Sequence, residues 1–405
     1  MADALHLDFS ARRTPVSIVR QLQFRRDSGG PATTITYEIS DAGVPDLPPA
    51  VDGFVAGILL HAMGTGLPLR IHGPVSRTAI YRLEDVQAFW CLWRPTRYRH
   101  IDIIPDRIVD LPRQKPGRRA IGAFSGGVDS TFTVLRHRSR PSSPEAYNLD
   151  TVVMVHGFDI GLEDQEALRM ATKRAEPFLG KMGVTFRTVR TNIKALSLQN
   201  WEDSHAAQLA SCLHQFSDEF EFGLIASSGS YAVAELPYGS NPVLDHLYSG
   251  DEFEIVYDAA GYPKGEKLAV IAKDPVATAG LRVCWEGEDQ WRNCGRCGKC
   301  LRTRLFFIML GVPNPPCFDG PIDPVAIKAM RIGNVAEWTR VKEVADFAAK
   351  RGMSAEWMRA LHRRMAAYRR KEAAARLREK VGHALDGVGL KSSVKGCLRA
   401  LGFMR

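Results

Sequence analysis

Between Arg118 and His137 the chain runs through a short apolar strand, a glycine-bearing hydroxylic turn and a helix start, an order that commits the surrounding sequence to the α/β class. Arg118-Arg119-Ala120-Ile121-Gly122-Ala123-Phe124 reads as the buried strand, Ser125-Gly126-Gly127-Val128-Asp129-Ser130 as the turn, and Thr131 to His137 as the opening of the helix. Gly126 and Gly127 tolerate backbone angles and close approaches that a side chain forbids, so successive N–H groups can converge on an oxyanion. The positive end of the helix adds to that potential. The plainer alternative is a Gly-Gly turn closed by an Asp-Ser cap.

Apolar and helical stretches alternate downstream: extended 151–155, helical near 162–183, extended 185–189, helical 204–219, extended 223–226. Such alternation implies a parallel sheet with crossover helices, and ligands of these sheets sit beyond the carboxyl ends of the strands. The phosphate-holding turn, His156-Gly157-Phe158-Asp159 and Ser227-Ser228-Gly229-Ser230 all follow strands and are expected to line one crevice. Asp159 is there a candidate contact for nucleotide, magnesium or substrate. Residues 1–115 read as an α+β leader, with strands at 33–39, 69–72 and 101–104 and helices near 48–64 and 80–92. The connector Pro112-Arg113-Gln114-Lys115-Pro116-Gly117 marks a domain boundary. The expected division is a leader domain at 1–115, a nucleotide domain at 118–311 and a helical, basic region at 323–405.

A chain of 405 residues with 45% hydrophobic content can bury cores for two or three domains. It has no run of about 18 apolar residues, and its start lacks the basic-then-apolar order of a secretory signal, so a cytoplasmic protein without membrane contact is expected. The net charge of +9 is uneven: residues 340–405 carry +11 and the remainder −2. In that tail Arg359, Arg363, Arg364, Arg369, Arg370, Lys371, Arg376 and Arg378 share a helical stretch with Trp357, Leu361, Met365 and Tyr368. Two readings stand, contact with nucleic acid or an acidic surface, and a solvated helix packing its apolar stripe on the body.

Of eight cysteines, four fall at Cys284, Cys294, Cys297 and Cys300, a C-x9-C-x2-C-x2-C spacing. Four thiolates close a tetrahedral zinc site, and Gly295 and Gly298 let the chain turn its sulfurs to one point. An iron–sulfur cluster takes the same ligand set. Free thiols on a turn are the plainer alternative. The density of the group, in a chain whose other cysteines are scattered, argues for metal over disulfides in a reducing compartment.

The turn lacks the Gly-Lys-Ser/Thr ending of a mononucleotide-kinase loop. Ser-Gly-Gly-x-Asp-Ser after a strand resembles instead the PP-loop ATP pyrophosphatase superfamily of asparagine synthetase and GMP synthetase domains, tRNA thiolases and 7-cyano-7-deazaguanine synthases. Joined to a cysteine quartet before Leu301-Arg302-Thr303-Arg304, it is similar to the last of these branches, across roughly residues 118–311. The resemblance implies an adenine nucleotide alpha hydrolase-like (HUP, Rossmann-like) domain that binds ATP with Mg2+ through Ser125, Gly126, Gly127, Val128, Asp129 and Ser130. In it Asp129 and Ser130 are the catalytic candidates, Asp129 as an orienter or magnesium contact, and the quartet holds Zn2+. It further implies adenylation of a carboxylate or carbonyl oxygen, with release of pyrophosphate and then AMP as a nitrogen nucleophile attacks, giving an amide or nitrile. Because residues 1–115 and 323–405 lie outside the resemblance, a paralogue is expected. Its acceptor is a deazapurine, a peptide or protein terminus, or a small metabolite, and a homo-oligomer fits this reading.

That branch carries an arginine-asparagine pair near the start of the helix that here opens Trp201-Glu202-Asp203-Ser204-His205, and the pair is absent. An acidic residue there does not meet a carboxylate as a guanidinium does. Other polar candidates for the acceptor pocket are Tyr231, Ser240-Asn241-Pro242, Asp245-His246, Lys264 and Lys267. Asp203 or Ser204 is expected to cap the helix, and the two lysines to lie on a solvated loop or helix face, the alternative being that one of them reaches a phosphate. The rival readings are nucleic-acid thiolation with an iron–sulfur cluster, and a non-catalytic, zinc-containing module that binds nucleic acid or a protein partner.

Overall fold

The computed structural model describes residues 3–40, 45–112, 117–231, 234–330, 332–353 and 356–387. The chain divides into two compact units, 1–321 and 322–405. In the first, β1 (Leu5–Arg13), β2 (Ser17–Arg26) and β3 (Thr33–Ser40) form an antiparallel meander, followed by α1 (Asp52–Thr65), β4 (Leu69–Ser76), α2 (Arg77–Trp93) and β5 (Ile103–Val109). Then come β6 (Arg119–Ala123), α3 (Val128–Arg138), β7 (Asn148–His156), α4 (Gln165–Met182), β8 (Thr185–Thr191), α5 (Trp201–Leu213), β9 (Phe222–Ala226) and β10 (Glu254–Asp258). Three helices close the unit: α6 (Lys264–Ile271), α7 (Pro275–Gly280) and α8 (Gly298–Met309).

All ten strands join one mostly parallel sheet in the order β10-β9-β6-β7-β8-β3-β2-β1-β4-β5, an α/β fold of Rossmann-like character. The leader, expected as a body of its own, enters this sheet through β3, which pairs antiparallel with β8 at Tyr37 and Thr191 and at Ile39 and Val189. The seam is sealed on the face that carries Tyr37 and Ile39. Tyr37, Ile39 and Val189 are buried, and the Tyr37 hydroxyl meets Ser211 Oγ of α5 at 2.7 Å. The buried Arg20 guanidinium donates to the Gln215 carbonyl at 2.8 Å. The connector therefore separates two halves of one sheet, and its residues 113–116 lie outside the described segments.

Between 118 and 226 the strands and helices fall where the alternation of apolar runs places them. Three strands carried no expectation: β1, β2 and β10. In β1 and in the second half of β2 the residues nevertheless alternate in and out of the core, with Leu5, Leu7, Leu22 and Phe24 buried, while Ser17 to Arg20 are buried in succession. Asn200, not Asp203 or Ser204, caps α5, its side chain accepting from the Asp203 N–H at 3.1 Å. Among the described residues no helix is long and apolar enough to cross a membrane. The second unit is helical, with α9 (Pro324–Ala329), α10 (Val335–Lys350) and α11 (Glu356–Gly387). Its residues 388–405, including Cys397, lie outside the described segments.

Candidate functional site

The chain runs from β6 through β7 to β8 on one side and returns to place β9 on the other, so the turn after β6 lies where the direction of winding reverses. Crevices open at such points in α/β sheets. Gly127 caps α3 without a side-chain hydrogen bond, and the first-turn N–H groups of a helix, here those of Val128, Asp129 and Ser130, have no acceptor within it. Gly126 has φ +75°, a left-handed conformation that a side chain rarely adopts. The turn braces itself: the Ser130 hydroxyl accepts from Ser125 N and donates to the Gly127 carbonyl, both at 3.3 Å, and Ser125 Oγ accepts from Gly127 N at 3.3 Å.

Two buried cations staple this turn to the loops on either side of it. Toward β9, Lys267 of α6 donates to Asp129 at 3.1 Å, to the Ser227 carbonyl at 2.6 Å and to Ser227 Oγ at 2.8 Å. Lys264, one helical turn earlier, donates to the other Asp129 oxygen. Burial alone raises the Asp129 pKa, but the two lysines more than reverse this and hold it at about 2, so the carboxylate stays ionised. The lysines therefore form one cluster with Asp129 beside the glycine turn, in place of the solvated face expected of them. Lys267 is only 3% exposed.

Toward β7, Arg282 makes the second staple. Its backbone N–H donates to the Gly126 carbonyl at 2.7 Å, its Nε to the Ser125 carbonyl at 3.1 Å and one terminal nitrogen to the Gln290 carbonyl at 2.9 Å. Its other terminal nitrogen lies 3.6 Å from Asp159, which follows β7. Burial lowers the guanidinium pKa while Asp159 and Cys284 draw it back up. Gly157, just before that loop, has φ +111°, and a Cβ there would stand 2.0 Å from the Thr191 carbonyl oxygen. Only glycine fits.

Two residues past Arg282 the cysteine centre begins. Cys284, Cys294, Cys297 and Cys300 bring all four sulfurs within 4.8 Å of one another, with Cys284–Cys294 at 3.4 Å, Cys284–Cys297 at 3.7 Å and Cys294–Cys300 at 3.9 Å. Bonds of about 2.3 Å from a tetrahedral zinc to each sulfur set the sulfurs about 3.8 Å apart. The quartet fits a single metal ion such as zinc. Backbone N–H groups of Glu286, Cys297 and Cys300 donate to the sulfurs of Cys284, Cys294 and Cys297 at 3.3 to 3.5 Å. Hydrogen bonding from the Cys300 thiol, foremost, lowers the Cys297 pKa to about 5. The buried Asn293 pins the loop, donating to the carbonyls of Leu281 and Cys317 at 2.9 and 2.8 Å and accepting from Val283 N at 2.8 Å.

A third wall runs away from Asp159. Phe158 lies against Trp201 with ring centroids 5.0 Å apart, Trp201 against His205 at 5.8 Å, and His205 against Tyr238 at 4.7 Å. Lys194 Nζ sits 4.3 Å over the Trp201 ring and donates to the Phe158 carbonyl at 2.7 Å. Asp203, at the start of α5, is buried and accepts from Arg97 at 2.5 Å and Tyr98 at 3.0 Å, with Arg94 at 3.6 Å. The leader thus supplies guanidinium groups at the helix start whose own sequence carries none. Ser240, Asn241 and Asp245 form a separate buried knot, Asp245 accepting from Ser240 Oγ at 2.7 Å and Asn241 N at 2.9 Å. Tyr231 is exposed.

Arg282, Gln290 and Asn293 were not singled out in the sequence. A cation between Leu281 and Val283, two residues before a metal-ligand cysteine, was the available signal.

No family model matches the chain, and no solved structure matches it. It is 29% identical over 117 residues to the 7-cyano-7-deazaguanine synthase of Paracoccus denitrificans. That match takes in 24% of this chain and 48% of the synthase, so the chain spans about half the length of the curated relative it matches. The likeness makes it a distant relative of that synthase.

Proposed function

We propose that the chain is an ATP-dependent synthase of the PP-loop type, which activates an acceptor's carboxylate or carbonyl oxygen as an adenylate for attack by a nitrogen nucleophile. The observation that carries this reading is the phosphate turn clamped between Lys267 and Arg282 at the winding reversal, with a cysteine centre two residues from the second clamp. The name of the distant relative supports it.

In this reading the first-turn N–H groups of α3 and the loop amides receive the phosphates of ATP, which arrives with Mg2+. Asp129 orients Lys264 and Lys267 toward the pyrophosphate end, and Arg282 holds the turn open on the other side. An acceptor oxygen attacks the α-phosphorus, the bond from that phosphorus to the bridging oxygen breaks, and pyrophosphate leaves. A nitrogen lone pair then attacks the activated carbon, the C–O bond to AMP breaks, and the nucleophile's proton passes to solvent. Fixed cations and amides contribute positioning and charge stabilisation where negative charge develops. A nucleophilic cysteine has no part in this, because the four clustered thiols face one another.

The cysteine centre holds zinc in this reading. A closed four-thiolate site has no open coordination position and contributes to folding. The mutual contact of the sulfurs supports a single ion over an iron–sulfur cluster, whose several irons need their ligands spread around them. The protein works in the cytoplasm on a small-molecule, peptide or protein acceptor. The test is a coupled pyrophosphate-release assay with ammonium and a panel of heteroaromatic carboxylic acids, including 7-carboxy-7-deazaguanine. Acceptor-dependent pyrophosphate and AMP in equal amounts are expected. ADP and inorganic phosphate would overturn the reading.

A further inference from the structure

Of the charge carried by residues 340–405, nine cations and four anions fall within α11, a net +5. At 100° per residue, Arg359, Arg363, Arg364, Arg370, Lys371 and Arg378 fall within about 140° of arc, along about 28 Å of axis. All six are exposed. On the opposite side, Met358 and Leu361 are buried, and Met365 and Tyr368 are partly buried beside α10, where Val341, Val344 and Phe347 are also buried. Of the other arginines of the helix, Arg369 lies over the Trp338 ring at 4.5 Å, and Arg376 pairs with Glu372 at 3.5 Å.

We infer that this face is a docking surface for the phosphate backbone of a nucleic-acid duplex. Five of the six cations are arginines, whose planar forks match phosphate oxygens two at a time. Between them stand Ala360, Ala367 and Ala374, short enough to let the helix axis approach a groove. A straight helix of this width fits the major groove of B-form DNA. The face carries no aromatic residue to stack on unpaired bases, as single-strand sites require. An anionic membrane would need a broad apolar flank to insert, and among the described side chains of α11 Leu377 is the one large apolar group that is exposed, Met358 and Leu361 being buried. Recognition is through phosphate alone and does not depend on sequence.

The test is fluorescence anisotropy of a labelled 20-base-pair duplex of arbitrary sequence with the full chain, from 50 to 300 mM KCl. Wild-type binding should weaken with a log–log salt slope of about −4 to −5, and the variant Arg363→Gln/Arg364→Gln/Arg370→Gln/Lys371→Gln should flatten that slope by about 3 to 4. Circular dichroism and an unchanged thermal midpoint certify that the variant folds. Four results would each overturn the inference: no duplex binding at 50 mM KCl, an unchanged slope in the variant, tighter binding of a 20-nucleotide single strand, or binding to phosphatidylserine vesicles without binding to duplex.

Discussion

The Arg282 backbone N–H and the Gly126 carbonyl lie 2.7 Å apart, so the turn from Ser125 to Ser130 is hydrogen-bonded to the residue that precedes the cysteine centre by two positions. The Arg282 side chain adds bonds to Ser125 and Gln290. Arg282→Lys keeps the charge and loses the fork. With two net bonds of about 1 kcal/mol each removed, calorimetry with a non-hydrolysable ATP analogue should show binding weakened between tenfold and a hundredfold. An unchanged dissociation constant would show that the staple has no bearing on the nucleotide.

Lys267→Met should expose the cost of the other staple. It leaves Asp129 with one lysine and strands the Ser227 carbonyl and hydroxyl, and breaking a buried pair in this way costs about 3 kcal/mol. Adding Asp129→Asn should recover part of that loss, a coupling of about 1 to 2 kcal/mol in a urea-denaturation cycle. Strict additivity would mean that the two groups do not depend on each other.

Cys297→Ser should abolish stoichiometric zinc by elemental analysis and lower the thermal midpoint by on the order of 10 °C, since metal binding and folding are linked. Cys91→Ser, far from the quartet in sequence, should keep its metal. Retention of one zinc per chain by Cys297→Ser would remove that residue from the ligand set.

Burial pushes the Asp245 carboxyl up to about 7, against the opposing hydrogen bonds from Ser240 and Asn241. A raised folded-state value means that the folded chain holds a proton that the unfolded chain has released, so stability falls as pH rises from about 4 to about 7 and then levels off. Asp245→Asn removes this titration. Its stability relative to wild type should therefore improve by about 2 kcal/mol between pH 5 and pH 8. A difference independent of pH would place the Asp245 pKa near its ordinary value.

The strand-turn-helix around Gly126, the grouping of the quartet and the strands from 119 to 226 were legible because each depends on local chemistry: glycines at a strand end, cysteines at metal-ligand spacing, runs of apolar residues. What was not legible depends on pairing at long range. The Tyr37–Thr191 register makes one sheet of two apparent domains, yet neither residue announces a partner more than a hundred and fifty positions away. Lys264 and Lys267 read as a helix surface because nothing near them in sequence supplies Asp129. The alternation in Leu5-His6-Leu7-Asp8-Phe9 was a usable strand signal, while Glu254–Asp258 holds only Ile255, Val256 and Tyr257 between two carboxylates. Asn200 took the helix cap from Asp203, whose carboxylate turned to Arg97 and Tyr98 instead.

The most direct test is the identity of the products formed from [α-32P]ATP, Mg2+ and a small-molecule extract, compared between wild type and Asp129→Ala at a temperature where circular dichroism shows both folded. Wild type should release labelled AMP with an equal amount of pyrophosphate, and Asp129→Ala should lose that activity by at least a hundredfold. Labelled ADP from wild type, or equal AMP from both proteins, would contradict the assignment of the turn from Ser125 to Ser130 as a pyrophosphate-releasing ATP site.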